Sequence, residues 1–359
     1  MARIDSYFKF MIDQDASDLH LSTGNQPMLR IHGDLVRVDA PTLEADDLKA
    51  LVYEIAPEYK IKVFEETGDV DFGYEYPGIA RYRVNFYNQR IGIGASFRLI
   101  PSKVLTLDQL GLPPVLKKFA MLKKGLVLVT GPTGSGKSTT LAGMVDYANL
   151  NRKEHIITIE DPIEFVHRSQ SCLVNQREVG VHTKSFAAAL RGALREDPDI
   201  VLVGEMRDLE TIELALTAAS TGHLVFGTLH TTNASKTIDR VIDVFPTTQQ
   251  NQIRAGLSES LKGVVAQGLF KRVDKPGRCA ALEILVVDTA IANLIRESKT
   301  HQIPGMIQVG KKKGNLPLDD AIMEHLRAAR ITPEEAYEKA ADRKKFRMLL
   351  KTPPDDFED

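Results

Sequence analysis

The sequence predicts an α/β fold with a small N-terminal α/β domain and a larger domain built on a parallel sheet. The first hundred residues contain short alternating stretches joined by turn residues, as in antiparallel strands. Beyond residue 115, apolar runs are separated by longer segments of helical pattern. These runs are 126–129, 156–159, 200–203 and 224–229. Apolar strands that alternate with helices are typical of a parallel sheet covered on both faces.

The N-terminal domain is assigned to residues 1–99. Its predicted helix covers about 43–66, with Thr42 as the cap. Its predicted strands are 18–21, 28–31, 70–76, 81–87 and 91–99. Residues 100–114 carry prolines and a glycine near their ends, so we interpret them as the linker between the two domains.

The larger domain is assigned to residues 115–285. A helical region over 286–351 follows, and then an acidic tail over 352–359 that we expect to be disordered. Asp208 is predicted to cap a helix. Thr332 is a second predicted cap, because a proline follows at the first helical position and a glutamate three residues after the cap.

The overall composition is that of an ordinary soluble protein. The hydrophobic share is 43%, the charged share 26% and the formal net charge −2, which is no global signature of nucleic-acid binding. No segment approaches about 18 uninterrupted apolar residues, so we predict no transmembrane segment, and the N-terminus lacks a signal-peptide pattern. Cys172 and Cys279 are isolated, which excludes a four-cysteine zinc site in this chain and fits a reducing cytoplasm.

Residues 131–138, GPTGSGKS, form a complete phosphate-binding loop between an apolar strand and a helix. Glycines let the backbone N–H groups approach a phosphate, and the helix N-terminus adds partial positive charge. Lys137 is expected to reach the β- and γ-phosphates of ATP, and Ser138 to bind Mg²⁺. A glycine-rich turn with a chance lysine would lack the flanking strand and helix. The predicted nucleotide-binding residues are Gly131, Thr133, Gly134, Ser135, Gly136, Lys137, Ser138 and Thr139.

Carboxylates follow two of the apolar runs, at the sheet edge where parallel strands place their ligands. Glu205 is predicted to contact Mg²⁺ through water or to polarise the attacking water, although Gly204 stands where an aspartate is common. Glu160 and Asp161 are further metal or base candidates, and Glu164 is the favoured water-activating base. The alternative for Glu205 is a glutamate that is simply exposed at a strand end. The alternative for residues 160–164 is a solvated acidic turn.

His230 directly follows the last apolar run and is predicted to sense the γ-phosphate, whereas a structural role is at least as good an interpretation for His223. Arginines can stabilise the charge of the transition state, and Arg81, Arg83 and Arg98 are candidates. For these arginines a solvated sheet face is the alternative, which the pattern alone favours slightly.

Four segments in this order resemble the motifs of the secretion-ATPase superfamily, and specifically the PilT family of type IV pilus retraction ATPases. They are GPTGSGKSTT at 131–140, ITIEDPIEF at 157–165, ALREDPDIVLVGEMRD at 193–208 and TGHLVFGTLHTTNA at 221–234. They look like the Walker A motif, Asp box, Walker B motif and His box. Residues 290–297, AIANLIRE, are similar to the C-terminal motif of retraction ATPases, with Ala292 where the family usually has arginine.

The resemblance implies a PAS-like N-terminal domain, a RecA-like ATPase core and a helical C-terminal extension. It implies a homohexamer that binds ATP between the domains and moves neighbouring subunits as it closes. Residues matching Arg81, Arg83 and Arg98 would then approach the nucleotide. The ring would be cytoplasmic, would dock on the inner-membrane platform protein of the pilus, and would drive pilus retraction and twitching motility.

Several other functions stay open at this point. Within the superfamily, an assembly or secretion ATPase usually carries an additional N-terminal domain, often with a tetracysteine zinc site. A weakly active paralogue of the motor is a further alternative. A nucleic-acid translocase should show a basic, salt-sensitive channel, which the net charge of −2 argues against weakly. A nucleotide-gated binding module without turnover would not need the acidic motifs.

Overall fold

Antiparallel pairing organises the N-terminal part of the chain. The computed structural model describes residues 3–31, 33–100 and 104–352, and it divides into two units by their internal contacts. Within the described residues, the N-terminal unit has a six-stranded antiparallel sheet in the order β3-β2-β1-β6-β5-β4. Its strands are β1 (Ala16–Ser22), β2 (Met28–Ile31), β3 (Asp34–Arg37), β4 (Asp69–Tyr76), β5 (Ala80–Gln89) and β6 (Gly92–Ile100). All five predicted strands are therefore confirmed.

One face of this sheet holds the core of the unit. On β5, Tyr82, Val84 and Phe86 are buried, while the alternate residues Arg81 and Arg83 are partly exposed, as the period of a strand requires. Helices α1 (Asp5–Asp13), α2 (Ala45–Tyr53) and α3 (Glu58–Thr67) belong to the same unit.

The single helix predicted over 43–66 is wrong in two respects. Pro57 separates α2 from α3, because a proline disfavours helical geometry in the residue before it. Thr42 does not cap α2, which begins after Glu44 and lacks a side-chain cap hydrogen bond.

A mainly parallel sheet organises the second unit. In the described residues it has seven strands in the order β13-β12-β7-β11-β10-β8-β9, and only the edge strand β13 is antiparallel to its neighbour. The strands are β7 (Gly125–Thr130), β8 (His155–Glu160), β9 (Leu173–Glu178), β10 (Ile200–Val203), β11 (Leu224–Leu229), β12 (Leu261–Lys271) and β13 (Arg278–Val286). The four predicted apolar strands lie side by side at its centre, so the predicted α/β class is confirmed.

Helices cover both faces of this sheet. On β7, Leu126 and Leu128 contribute to one hydrophobic core, and Val127 and Val129 to another. The helices are α4 (Val115–Ala120), α5 (Lys137–Asn151), α6 (Phe186–Ala193), α7 (Leu209–Thr221), α8 (Ala234–Asp243) and α9 (Thr247–Ser260). Asp208 caps α7, as predicted, by accepting a hydrogen bond from the Thr211 N–H.

The C-terminal part is helical, as predicted. Its helices are α10 (Thr289–Arg296), α11 (Ile303–Val309), α12 (Leu318–Arg327), α13 (Pro333–Lys339) and α14 (Arg343–Arg347). Thr332 caps α13 through the Glu335 N–H. Helices α12 to α14 share a small core with β12 and β13, which includes Phe270 and Phe346.

The unit boundaries bear on the functional motifs. The N-terminal unit includes Met1–Lys103 and also Pro162–Phe165, while Val104–Asp161 and Val166–Asp359 form the second unit. The predicted linker and tail lie partly outside the described residues, at 101–103 and 353–359. Among the residues that the structure describes, no helix is both long and apolar enough to cross a membrane.

Candidate nucleotide site

The phosphate-binding loop lies between β7 and α5, as its sequence requires. Gly131, Gly134 and Gly136 all have positive φ, at 143°, 78° and 88°. At two of them a neighbouring atom lies within 3 Å of the place where a Cβ would stand. A Cβ on Gly131 would lie 2.4 Å from the Gln267 carbonyl oxygen, and a Cβ on Gly136 would lie 2.7 Å from Gln267 Nε2. The loop is therefore shaped by its backbone and by the strand behind it.

Lys137 occupies the first turn of α5 and folds back over the loop. Its Nζ donates to the carbonyl oxygens of Gly131 at 2.8 Å and Pro132 at 3.1 Å. Burial lowers the pKa of Lys137, and the charge of Glu205 partly opposes that effect. Lys137 and Glu205 therefore interact electrostatically. Ser138 is exposed beside Lys137, and Thr139 is half-buried.

Glu205 is the centre of a charged cluster that unites two of the motifs. Its Oε1 lies 2.6 Å from Arg207 Nε and 2.9 Å from His230 Nε2. Burial by itself raises the pKa of Glu205, but the hydrogen bond and charge of Arg207, with those of His230, outweigh burial and hold the pKa below its usual range. Glu205 is thus kept ionised.

Gly204 precedes Glu205 where an aspartate is common, and the glycine lies in a tightly packed position. A Cβ at this position would lie 3.0 Å from the Ile159 carbonyl oxygen and 3.2 Å from the Glu160 Cα. The Gly204 N–H also donates to Ile159 O at 2.7 Å. Strands β10 and β8 approach too closely here for a larger residue to enter without displacement.

Glu160 is the last residue of β8, and Asp161 follows it next to this cluster. Glu160 Oε1 accepts hydrogen bonds from the Thr158 hydroxyl at 2.6 Å and from Gln176 Nε2 at 3.1 Å. Asp161 is exposed, and its charge adds to that of Glu205 in raising the pKa of Arg207, where the Glu205 hydrogen bond is the larger cause. Arg207 therefore contacts Glu205 after β10 and interacts electrostatically with Asp161 after β8.

Glu164 and Arg83 lie near each other in the N-terminal unit. Glu164 Oε1 is 3.9 Å from Arg83 Nη1, and Arg83 Nε is 3.8 Å from Asp71 Oδ1. All three side chains are at least 39% exposed, so these pairs contribute little to stability. The sequence prediction did not connect Glu164 with Arg83.

Arg98 and Arg81 take different places on the N-terminal sheet. Arg98 Nε donates to Asp18 Oδ1 at 2.8 Å. Burial raises the pKa of Asp18, but hydrogen bonds from Ser17 and Arg98 and the charge of Arg98 outweigh it, so the pKa is lowered. The Arg81 guanidinium lies over Gly73 of β4, where a Cβ would come within 2.7 Å of it.

Buried hydroxyls support the segment after β11 that carries His230. Thr237 Oγ1 is 2.7 Å from Thr231 Oγ1, 2.7 Å from the Asn233 carbonyl oxygen and 3.4 Å from Thr130 Oγ1. Glu283 on β13 accepts a hydrogen bond from the Ala234 N–H at 2.7 Å.

His223 has a structural contact, with Nδ1 at 3.0 Å from the Ala218 carbonyl oxygen.

Sequence reasoning missed three residues that support the site: Gln267, Glu283 and Thr237. Gln267 and Glu283 leave a signal, because each is a lone polar residue inside an otherwise apolar stretch. Such a residue inside a core strand needs buried hydrogen-bond partners. Thr237 leaves no comparable signal, because threonine is common in polar helix faces.

The oxygen donors beside the loop suit a magnesium ion. Mg²⁺ is usually held by one or two carboxylates together with phosphate oxygens and waters. The exposed Ser138 hydroxyl and the ionised Glu205 supply such donors, with Glu160 and Asp161 adjacent. Among the described residues, no group of three or more His, Cys, Asp or Glu side chains could hold a metal without a nucleotide.

A cavity of about 580 Å³ adjoins the loop. Residues 132–135 form one wall, and 266–271 of β12 form another. Arg278, Glu335 and Lys339 also line it. This volume lies in the range of small-molecule sites and is large enough for a nucleoside.

Comparisons with known proteins agree with the motifs. Residues 2–312 match the family described as type II/IV secretion system protein. The type IV pilus retraction ATPase PilT of Pseudomonas aeruginosa is 56% identical, over 94% of this chain and 98% of its own length. A twitching motility protein of Neisseria gonorrhoeae is 51% identical, over 88% of this chain and 84% of its own length.

A solved structure agrees as well. The crystal structure of a pilus retraction motor PilT with bound ADP has a TM-score of 0.89 and 45% identity, and covers 96% of this chain and 98% of its own. This match supports the RecA-like ATPase fold. Motifs, geometry and comparisons agree, and the chain belongs to the type II/IV secretion system protein family and, within it, to the PilT family of pilus retraction ATPases.

Proposed function

We propose that this chain is the ATP-hydrolysing motor that retracts type IV pili and thereby produces twitching motility. One observation carries the proposal: a complete phosphate-binding loop lies beside an ionised Glu205. Lys137 of the loop interacts electrostatically with this carboxylate, and His230 and Arg207 both contact it. The 56% identity to a retraction ATPase over nearly the whole chain supports the same assignment.

In the proposed mechanism the loop residues 131–139 bind the phosphates, and Lys137 exchanges its two carbonyl contacts for phosphate oxygens. Ser138 and Glu205 would hold Mg²⁺, with Glu160 and Asp161 as further contacts. When bound, this ion neutralises charge on the phosphates. Glu205 stays ionised because Arg207 and His230 stabilise its charge.

Glu164 is proposed to activate the attacking water, and His230 to sense the γ-phosphate. Arg81, Arg83 and Arg98 are proposed to stabilise negative charge in the transition state. Arg83 Nη1 already lies 3.9 Å from Oε1 of Glu164, the proposed base. Arg98 donates to Asp18 at 2.8 Å and would have to leave this partner to take part.

We further propose a cytoplasmic homohexamer that docks on the inner-membrane platform protein of the pilus. The N-terminal sheet is proposed to be PAS-like and to form the domain 1–99, with a linker at 100–114. The proposed ATPase core is 115–285, followed by the helical region 286–351 and the tail 352–359. Native mass spectrometry with and without MgADP tests the oligomer: a chain that stays monomeric in both would contradict it.

Deletion of the gene tests the direction of force. Hyperpiliated cells that do not twitch are expected for a retraction motor, whereas bald cells would support an assembly ATPase. Purified chain with and without DNA tests the translocase: stimulation of ATP hydrolysis by DNA would overturn the present assignment.

Substitution of the two glutamates tests the chemistry. Glu205→Gln and Glu164→Gln should retain ATP binding and lose most ATP hydrolysis, on the order of a hundredfold or more. Hydrolysis at the parent rate by Glu164→Gln would show that another group is the base.

A further inference from the structure

Gln267 is a polar side chain buried in the parallel sheet, and no sequence motif accounts for it. It is 5% exposed and follows the apolar residues Val264, Val265 and Ala266 on β12. A buried amide is stable only if both its donor and its acceptor groups are hydrogen-bonded. Its partners therefore show what the side chain holds in place.

Both partners of the Gln267 amide belong to the nucleotide-binding motif or its helix. Nε2 donates to the Ser135 carbonyl oxygen at 2.7 Å. Oε1 accepts a hydrogen bond from the Thr140 hydroxyl at 2.7 Å, and Thr140 is itself 2% exposed. One side chain thus connects β12 to the loop and to the first turn of α5.

The register of the sheet places Gln267 level with the first residue of the loop. Strand β12 runs parallel to β7 with Ala266 opposite Thr130, so Gln267 comes next to Gly131. The backbone of Gln267 excludes a Cβ at Gly131, and its Nε2 excludes one at Gly136. The residue is therefore in contact with both ends of the loop.

We propose that Gln267 is a positioning residue for phosphate binding, acting through the peptide between Ser135 and Gly136. In a planar trans peptide the carbonyl and the N–H point in opposite directions. A Ser135 carbonyl that is held toward Gln267 turns the Gly136 N–H away from β12, toward the inner side of the loop where phosphate binds. Gly136 has no side chain to restrain this peptide, so an outside group must do so.

The proposal predicts an effect on affinity rather than on turnover. The phosphates of ATP, ADP and the transition state all need the same N–H groups, so loss of the restraint weakens their binding about equally. A rise in KM with kcat little changed is the kinetic signature of such a loss. A residue that only stabilises the fold would move neither value once the protein is folded.

The test compares three variants of the full chain by calorimetric titration with MgADP and by steady-state ATPase kinetics. Gln267→Leu removes both hydrogen bonds, and about tenfold weaker ADP binding is expected. Gln267→Glu keeps the acceptor for Thr140 but has no donor for Ser135, so at least the same loss is expected. Thr140→Val removes only the other bond, and at most a threefold loss is expected.

Because this inference rests on nucleotide binding by the loop, ADP binding by the parent chain is measured first. Failure of the parent to bind would refute the proposed function itself. With a binding parent, ADP affinity unchanged in Gln267→Leu, or a larger loss in Thr140→Val than in Gln267→Glu, would overturn the positioning role. Loss of the circular dichroism signal by both Gln267 variants at low temperature would overturn it as well, because the contacts would then serve the fold.

Discussion

At the scale of single residues, the site depends on which groups contact the carboxylate of Glu205. Arg207 and His230 both contact one oxygen of this carboxylate, and Lys137 interacts with its charge. A carboxylate that accepts hydrogen bonds and lies near the Arg207 and Lys137 cations stays ionised at neutral pH, as a metal contact must. Gly204, where an aspartate is common, is tightly packed against β8.

Gly204→Asp is expected to reduce both stability and ATP hydrolysis, even though it introduces the commoner residue. The new Cβ would lie 3.0 Å from the Ile159 carbonyl oxygen and 3.2 Å from the Glu160 Cα, so the backbone of β8 would have to shift, and overpacking costs about 1–3 kcal/mol. Urea unfolding and ATPase assays measure the two effects. Gly305→Asp is the matched control, because nothing lies within 4 Å of a Cβ there. Equal losses in both variants would contradict the steric explanation.

His167 provides a prediction on pH. Burial lowers its pKa to about 4 from 6.5. Between these values the unfolded chain binds a proton that the folded chain does not, so stability falls as the pH drops from 6.5 to 4 and this contribution levels off below that. The loss amounts to on the order of 3 kcal/mol.

We expect His167→Gln to flatten the pH dependence of the free energy of unfolding over this range. Urea titrations at several pH values measure it, and the exposed His301 serves as the control position. An unchanged slope in His167→Gln would show that other groups cause the acid sensitivity.

At the scale of elements, helix starts were predictable where the cap chemistry was complete. Asp208 and Thr332 accept hydrogen bonds from the first turns of α7 and α13, as their sequences indicated. Thr42 has the right residue type but lies outside α2, and the helix there is divided by Pro57. A suitable residue type at one position was therefore not enough to predict where a helix starts; the residues of the following turn were needed as well.

Thr332→Ala is expected to destabilise the chain by about 1 kcal/mol, because the Glu335 N–H loses its acceptor at the start of α13. Thr42→Ala is the matched control and should change stability by less than about 0.5 kcal/mol, since exposed positions without such contacts tolerate substitution. Chemical denaturation measures both. A larger effect at Thr42 than at Thr332 would contradict the observed caps.

At the scale of the whole molecule, sheet topology brings together motifs that are far apart in the chain. Strand β10 lies between β8 and β11, with Val203 opposite both Ile159 and Gly227. The residues after these strands therefore share one edge, with the phosphate-binding loop after β7 beside them. The nucleotide should stabilise this assembled edge as a unit.

MgADP at about a hundred times its dissociation constant is expected to stabilise the folded chain by about 2.7 kcal/mol. Lys137→Ala should abolish most of this stabilisation. The control is Lys124→Ala, at an exposed position directly before β7, and it should keep the full stabilisation by MgADP. Thermal unfolding with and without MgADP measures it. A full shift in Lys137→Ala would exclude the loop as the main binding site.

The sequence alone determined the fold class, the central strands and the order of the motifs. It could do so because apolar periodicity, glycine chemistry and capping patterns are local, and they are written in consecutive residues. Only the tertiary structure decided that Arg207 and His230 both contact Glu205, that Gly204 packs tightly against β8, and that Gln267 donates a hydrogen bond to Ser135 of the loop, 132 residues away in the chain. These contacts depend on which strands are neighbours and in what register, and sequence spacing does not specify that.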